Sequence, residues 1–373
     1  MQTIDLELLK DLTSVQDEPC ISLYMTTHKV HPDSAADSIS FKNLYKKTLL
    51  YIQDQKLPKH EALLKPLEKL IADKNFWDNG THGLAIFASA KETKIIRLPE
   101  TVQEISCVAN AFCIKPLFKM YNENQSYYLL ALGLDTVKLY AGDRHHITEL
   151  DIDGKLPQSM KEALGDQLTD NHFHASVVEG AGLHGYMEKS QEEDIDMDRF
   201  FRQIDRVILE HFDIPAKTPL LLAALPEHHT HFARISKNIN LGPVHIPVNP
   251  HSLSRTEILR KVQEVMDSAL AKRKEELLDK QQLAAQENLS STEITDIVRD
   301  AIDGKVDVLC IENGKGIKGS IDLEQRAIDE NQTNNTDVIN ELVRTVFNFG
   351  GDVVVLEEAD MPTNDGVFTI NRY

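Results

Sequence analysis

The sequence predicts an α/β protein of more than one domain, on three observations. Short apolar blocks with strand character alternate with stretches whose apolar residues recur at helical spacing. A strand hairpin in the middle of the chain leads into a helix and then a fully apolar strand. Finally, 373 residues, 41% hydrophobic and 27% charged, suffice for two or three cores of ordinary size. Cys20-Ile21-Ser22-Leu23-Tyr24-Met25 opens as a strand and is followed by a polar loop over 26–38. Phe41, Leu44, Tyr45, Leu49 and Ile52 then predict a helix with Lys42, Lys46 and Lys47 on its solvated face. Leu63, Leu67, Leu70 and Ile71 predict a second helix kinked at Pro66. Residues 83–89 read as a buried strand and 112–117 lead out of this part, which places a boundary near Met120.

The middle part starts with a predicted hairpin, 127–134 with 136–140, continuing into 147–152. After a long polar stretch, Phe200, Ile204, Val207, Ile208 and Phe212 trace an amphipathic helix ended by Pro215, and 219–225 reads as a buried central strand. The expected sheet is therefore mixed and flanked by helices. From Ser254 to Asn288, dense Glu, Lys, Gln, Leu and Ala predict one long helix, a hinge into the last part. There, Ser290 and Glu293 have capping-box spacing ahead of the stripe Ile294, Ile297, Val298, Ala301 and Ile302, and Gly304 closes that helix. Strand 306–311, helix 338–347, the Gly350-Gly351 turn and strands 353–356 and 367–370 complete an α/β/α domain.

Charge narrows the partners. A formal net charge of -19 opposes nonspecific binding to nucleic acid, DNA included, so that any RNA contact must be local, as at Lys42, Lys46 and Lys47. No secretory signal and no apolar run of membrane-spanning length is present, which predicts a cytoplasmic chain with no membrane partner. Cys20, Cys107, Cys113 and Cys310 stand singly in apolar surroundings, as reduced core residues do.

Two Gly-x-Gly-x-x-Gly hexapeptides, 180–185 and 314–319, have the form of dinucleotide-binding turns. The first, carrying Gly180, Gly182, His184 and Gly185, follows a half-apolar segment and leads into acids at 188, 192, 193, 194, 196 and 198, which would repel a pyrophosphate. It reads as an exposed binding loop. The second follows strand 306–311, but no β-α-β unit is completed before helix 338–347, so it too reads as a surface loop, with Lys315 and Lys318 free to meet a phosphate. No cofactor is expected. His228, His229 and His231 follow the central strand, where open α/β sheets place their sites, and His172, His174 and His184 lie in the earlier loop. As functional groups, His228, His229 and His231 are candidate metal ligands and His184 and His229 candidate catalytic bases; as bland ones, they are solvated loop histidines. P-loop, nucleophile-elbow and His-Glu-x-x-His signatures are absent, so the common NTPase, hydrolase and zincin mechanisms lose support.

Four stretches resemble the bacterial archaeo-eukaryotic release-factor-like family, relatives of the class-one peptide-chain release factors. They are Ile21 to His28 with Lys42-Asn43, Tyr127 to Tyr140, Pro219 to Leu225, and the end of the chain at 337–342, 350–356 and 366–373. The resemblance implies three domains: an N-terminal α/β domain over 1–120, a ribonuclease-H-like middle domain over 121–253, and an α/β/α C-terminal domain over 254–373 similar to ribosomal proteins that bind RNA kinks. It also implies a translation-associated protein whose partner is the ribosome or tRNA. The family's release factors carry a Gly-Gly-Gln loop in the middle domain; the corresponding position here is 180–185, which holds no Gly-Gly-Gln. A hydrolase using the loop histidines, on a tRNA ester or a small molecule, and a protein-interaction module are the alternatives.

Overall fold

Strand β1 (Cys20–Thr26) is the centre of an antiparallel sheet of order β3-β2-β1-β4, with β2 (Gly83–Ala88), β3 (Thr93–Leu98) and β4 (Ile105–Ala109). The computed structural model describes the chain except residues 1–3, 16–18, 31, 58–60, 152–153, 166–183, 216–217 and 330–336, and the side chains of 184–192 and 243. Alternation along β1 and β2 sends side chains to two cores. Ile21, Leu23, Met25, Leu84 and Ile86 pack under α2 (Asp37–Asp54) and α3 (Glu61–Ala72), with Trp77 of the short α4 (Lys74–Trp77). Cys20, Tyr24, Ala85 and Phe87 face the opposite way, toward α1 (Leu6–Ser14), Phe112 and α5 (Lys115–Glu123). The expected strands and both helices over 41–71 are present, and α3 continues through Pro66. The segment leaving this part turns helical at Lys115.

In the middle, β5 (Tyr127–Leu132), β6 (Val137–Gly142) and β7 (Ile147–Glu149) form an antiparallel meander, and β8 (Leu220–Ala224) and β9 (Leu241–Pro247) join β5 in parallel, giving the order β7-β6-β5-β8-β9. Strand alternation again fills two faces. Leu130, Leu132, Leu220 and Leu222 meet Phe200, Phe201, Ile204 and Ile208 of α7 (His184–His211), together with Leu164 of α6 (Met160–Leu164) and Phe232 of α8 (Pro226–Ile235). Leu129, Ala131, Leu221 and Ala223 meet Ile258 and Val262 of α9 (Arg255–Gln286). Burial on both faces explains why β8 reads as a continuous apolar run.

Helix α9 opens with a true capping box: Ser254 accepts from the Glu257 amide, and Glu257 accepts from the Ser254 amide at 2.8 Å. The box expected at Ser290 and Glu293 does not form. α10 (Ile294–Ile302) has Glu293 itself at its N-cap without a side-chain bond, while the Ser290 hydroxyl accepts from Gln281. Beyond it, β10 (Val306–Glu312) lies between β13 (Asp352–Leu356), parallel, and β14 (Val367–Asn371), antiparallel, with β11 (Ser320–Asp322) and β12 (Ala327–Asp329) in a separate hairpin and α11 (Val338–Asn348) across the sheet. The stretch after the second hexapeptide, which the sequence leaves without an element, carries that hairpin. Arg326 sits in its turn at φ 55°, and Asp322 accepts from the amides of Glu324 and Gln325.

Contacts gather these elements into two units, Met1–Glu123 with Glu275–Tyr373, and Asn124–Lys274. The first is discontinuous because one core joins both ends of the chain: Leu9, Phe87, Phe112 and Phe118 pack with Ile297, Leu309, Leu342 and Val346. Two asparagines fasten it. Asn340 of α11 accepts from the Ile114 amide at 2.9 Å and donates to the Phe112 carbonyl at 3.0 Å, while Asn122 donates to the Val353 carbonyl and accepts from the Val355 amide, both at 3.0 Å. None of the four cysteines is in a disulfide, and three of them are buried. Among the described residues, no helix is long and apolar enough to cross a membrane.

Candidate functional site

The histidine cluster expected in a loop lies on a helix. Pro226 takes the first turn of α8, where its missing amide costs nothing and its fixed φ favours entry. Helical geometry then turns consecutive side chains about 100° apart, so His228, His229 and His231 face three surroundings. His228 is buried against Phe201 on α7, with ring centroids 5.8 Å apart, and its Nδ1 has no hydrogen-bond partner among the described residues. Burial holds its pKa below the usual imidazole value, opposed by the Glu227 carboxylate 3.9 Å away. His229 stacks flat on His245 of β9, with centroids 3.6 Å apart and ring planes 22° from parallel. Burial first, and the charge of His245 second, lower the His229 pKa, so the stacked pair favours the neutral ring at His229.

His231 faces α7 instead. Its Nδ1 is 3.1 Å from Asp198, its Nε2 is 3.7 Å from Asp194, and Arg234 donates to both Asp198 oxygens at 2.9 and 2.8 Å. Burial alone would raise the Asp198 pKa, but these hydrogen bonds and charges outweigh it and hold the carboxyl below its usual range. His228 and His231 thus clamp α8 to α7, while His229 packs it on β9. Among the described residues no group of three His, Cys, Asp or Glu side chains is placed to hold a metal ion.

Of the first hexapeptide, Gly180 and Gly182 lie outside the described residues, as do His172 and His174. Helix α7 begins within the motif at His184 and includes Gly185, well ahead of the first apolar position read from the sequence at Phe200. Asp198, the α7 carboxylate nearest His231, is fourteen residues farther along, which at about 1.5 Å of rise per residue separates the two positions along the helix axis by about 21 Å.

The second hexapeptide already encloses an anion, one of its own. The Ile317 amide donates to Asp337 at 3.0 Å, Lys115 donates to the same carboxylate at 2.9 Å, and Asp337 caps α11 through the Ile339 amide. A Cβ at Gly316 would stand 3.3 Å from that carboxylate, and Gly314 and Gly319 hold φ of 78° and 132°. Lys315 is taken up by Glu312 at 3.2 Å. The turn therefore serves as an internal helix cap, and its signal in the sequence was an Asp placed just before an apolar helical stripe.

Sequence reasoning also passed over the outer face of α7. Arg199, Arg202 and Arg206 recur at positions i, i+3 and i+7 between buried Phe200, Ile204 and Val207, and with Lys237 they line a groove of about 640 Å³. By contrast, Lys47 of the α2 patch is engaged by Glu104.

Residues 126–305 match the profile described as Bacterial archaeo-eukaryotic release factor family 3. No curated protein matches the chain. Among solved structures, the chain is similar to the archaeal translation termination factor aRF1, at 16% identity over 98% of this chain and 96% of that one, with a TM-score of 0.23. It is also similar to Archaeoglobus fulgidus Pelota, at 12% identity over 78% and 79% with a TM-score of 0.30, and to ribosome-bound archaeal Pelota with ABCE1, at 11% over 100% and 95% with a TM-score of 0.39. Superpositions at that level do not define a common fold. The profile covers the whole five-stranded sheet with α6 to α10, so it is this part of the chain that is similar to the bacterial archaeo-eukaryotic release-factor-like family.

Proposed function

We propose that the protein is a translation-associated factor that engages the ribosome or tRNA and does not use a Gly-Gly-Gln hydrolytic step. The observation that carries this reading is the family match over 126–305. In this reading the five-stranded sheet with its helices is the ribonuclease-H-like module, and the segment ahead of α7 is the part that probes a ribosomal or tRNA pocket. The sequence contains no Gly-Gly-Gln, so water activation by that tripeptide's glutamine is not available. A histidine hydrolase has less support, because α8 sends His228, His229 and His231 to separate partners. With a net charge of -19, binding to ribosomal RNA has to run through a local cationic surface, and it should weaken as salt rises.

The test is co-sedimentation with bacterial ribosomes through a sucrose gradient at about 100 mM monovalent salt, alongside a peptidyl-tRNA cleavage assay. The expected outcome is migration with ribosomal particles, reduced at higher salt, and no cleavage above background. Absence from ribosomal fractions at all salts would remove the reading.

A further inference from the structure

We infer that the groove on the outer face of α7 is a binding site for the phosphate backbone of RNA, an inference that rests on the translation-associated reading and names the surface it would use. The cations stand in line. Arg199, Arg202 and Arg206 are the exposed positions of a helix whose other face is buried, and seven residues at about 1.5 Å each spread them over about 10 Å. That length covers about three phosphate spacings of one strand at about 3.4 Å of axis per charge, room for about four successive phosphates, which favours a polyanion over a single small phosphate. Lys237, at the end of α8, extends the cationic wall, while Leu164, Leu209 and Ile235 add apolar surface on which a ribose can rest.

Ion pairing leaves this wall open. Among the described residues, neither the Arg206 guanidinium nor the Lys237 ammonium forms an ion pair with a carboxylate, and Arg202 reaches Asp198 only at 3.8 Å. The lining acid Asp205 is buried and already accepts from the Ser236 hydroxyl and the Lys237 amide. Glu210 stands at one end, and Arg199 is shared with Asp196 at 3.2 Å. In a chain with 59 acidic and 40 basic side chains, four cations lining one groove with two acids are a local reversal of sign.

The experiment measures fluorescence anisotropy of a labelled single-stranded RNA of 12 nucleotides with the full-length protein, from about 50 to 200 mM salt. The variant R202Q/R206Q/K237Q, all at solvent-facing positions, should keep the wild-type unfolding midpoint and weaken binding about tenfold or more. The slope of log affinity against log salt should shrink by about 2, since each lost phosphate contact removes about 0.7. If the triple variant is poorly folded, Arg206→Glu alone serves, with a loss in the same direction. The control K42Q/K46Q/K47Q should bind as wild type. Wild-type failure to bind at 50 mM salt, equal binding by the groove variants, or full displacement by inorganic phosphate at constant ionic strength would each overturn the inference. Loss of binding confined to the α2 control would also do so. Ribosome co-sedimentation of the same proteins separates the two readings. RNA binding through the groove without ribosome association leaves the site and removes the function; ribosome association by groove variants that bind RNA normally does the reverse.

Discussion

His228 is a polar ring in an apolar place, with Phe201 against it and its Nδ1 unbonded within the described structure. Its folded pKa lies below the unfolded value of about 6.5, so the unfolded chain takes up more protons below that pH. Stability from this residue is therefore full above about pH 6.5 and declines as pH falls through the window beneath it. His229 and His251, also lowered by burial, add to the same slope. Replacing His228 by Leu keeps the apolar packing and removes the orphaned nitrogen, and should leave stability at pH 7.5 unchanged or raise it by about 1 kcal/mol. The gain should be larger at pH 5.5. Thermal midpoints at the two pH values check this, and a variant less stable at both would show that the ring makes polar contacts Leu cannot replace. The types and sequence spacing of these histidines were legible in the sequence, but their separation was not. Pro226 directly follows the apolar run 219–225, and at the first turn of a helix it is an entry residue.

Edge and centre explain which elements could be read. Central β8 and β2 are apolar on both faces and announce themselves, while β9 carries Pro243 and Pro247 and lies at the sheet edge, where missing amides are tolerated. β3, likewise an edge strand, alternates with exposed and half-buried positions and gave no strong run. α11 was plain from its apolar stripe, but its most consequential residue is polar. Asn340 serves three backbone groups, since the Lys115 amide also reaches its carbonyl oxygen at 3.3 Å. No periodicity marks a buried asparagine as a bridge to a segment more than two hundred positions away. Asn340→Ala leaves those groups without partners in a buried site and should cost about 2–3 kcal/mol. Chemical denaturation with an unchanged m-value checks it; a loss under about 0.5 kcal/mol would mean that the Phe112 to Lys115 segment finds other partners.

At the level of the whole molecule, the α/β class and the order of segments were visible in local patterns, whereas the joining of the two chain ends in one core was not. Long-range packing of Phe87 and Phe118 with Leu309 and Leu342 depends on which face each strand turns toward. Residues 1–123 produced alone should therefore expose that face and show no cooperative thermal transition, while the full chain does. A sharp, reversible transition in the fragment would show that the α2 and α3 side of the sheet suffices. The same shared core sets a timetable during synthesis. Phe118 is made 179 residues before Ile297, an interval of roughly 10–35 s at synthesis rates of about 5–20 residues per second. For that long the nascent N-terminal sheet presents an uncovered oily face, so shielding by a chaperone, or slow growth of the chain past the exit tunnel, bears on how much protein a cell recovers.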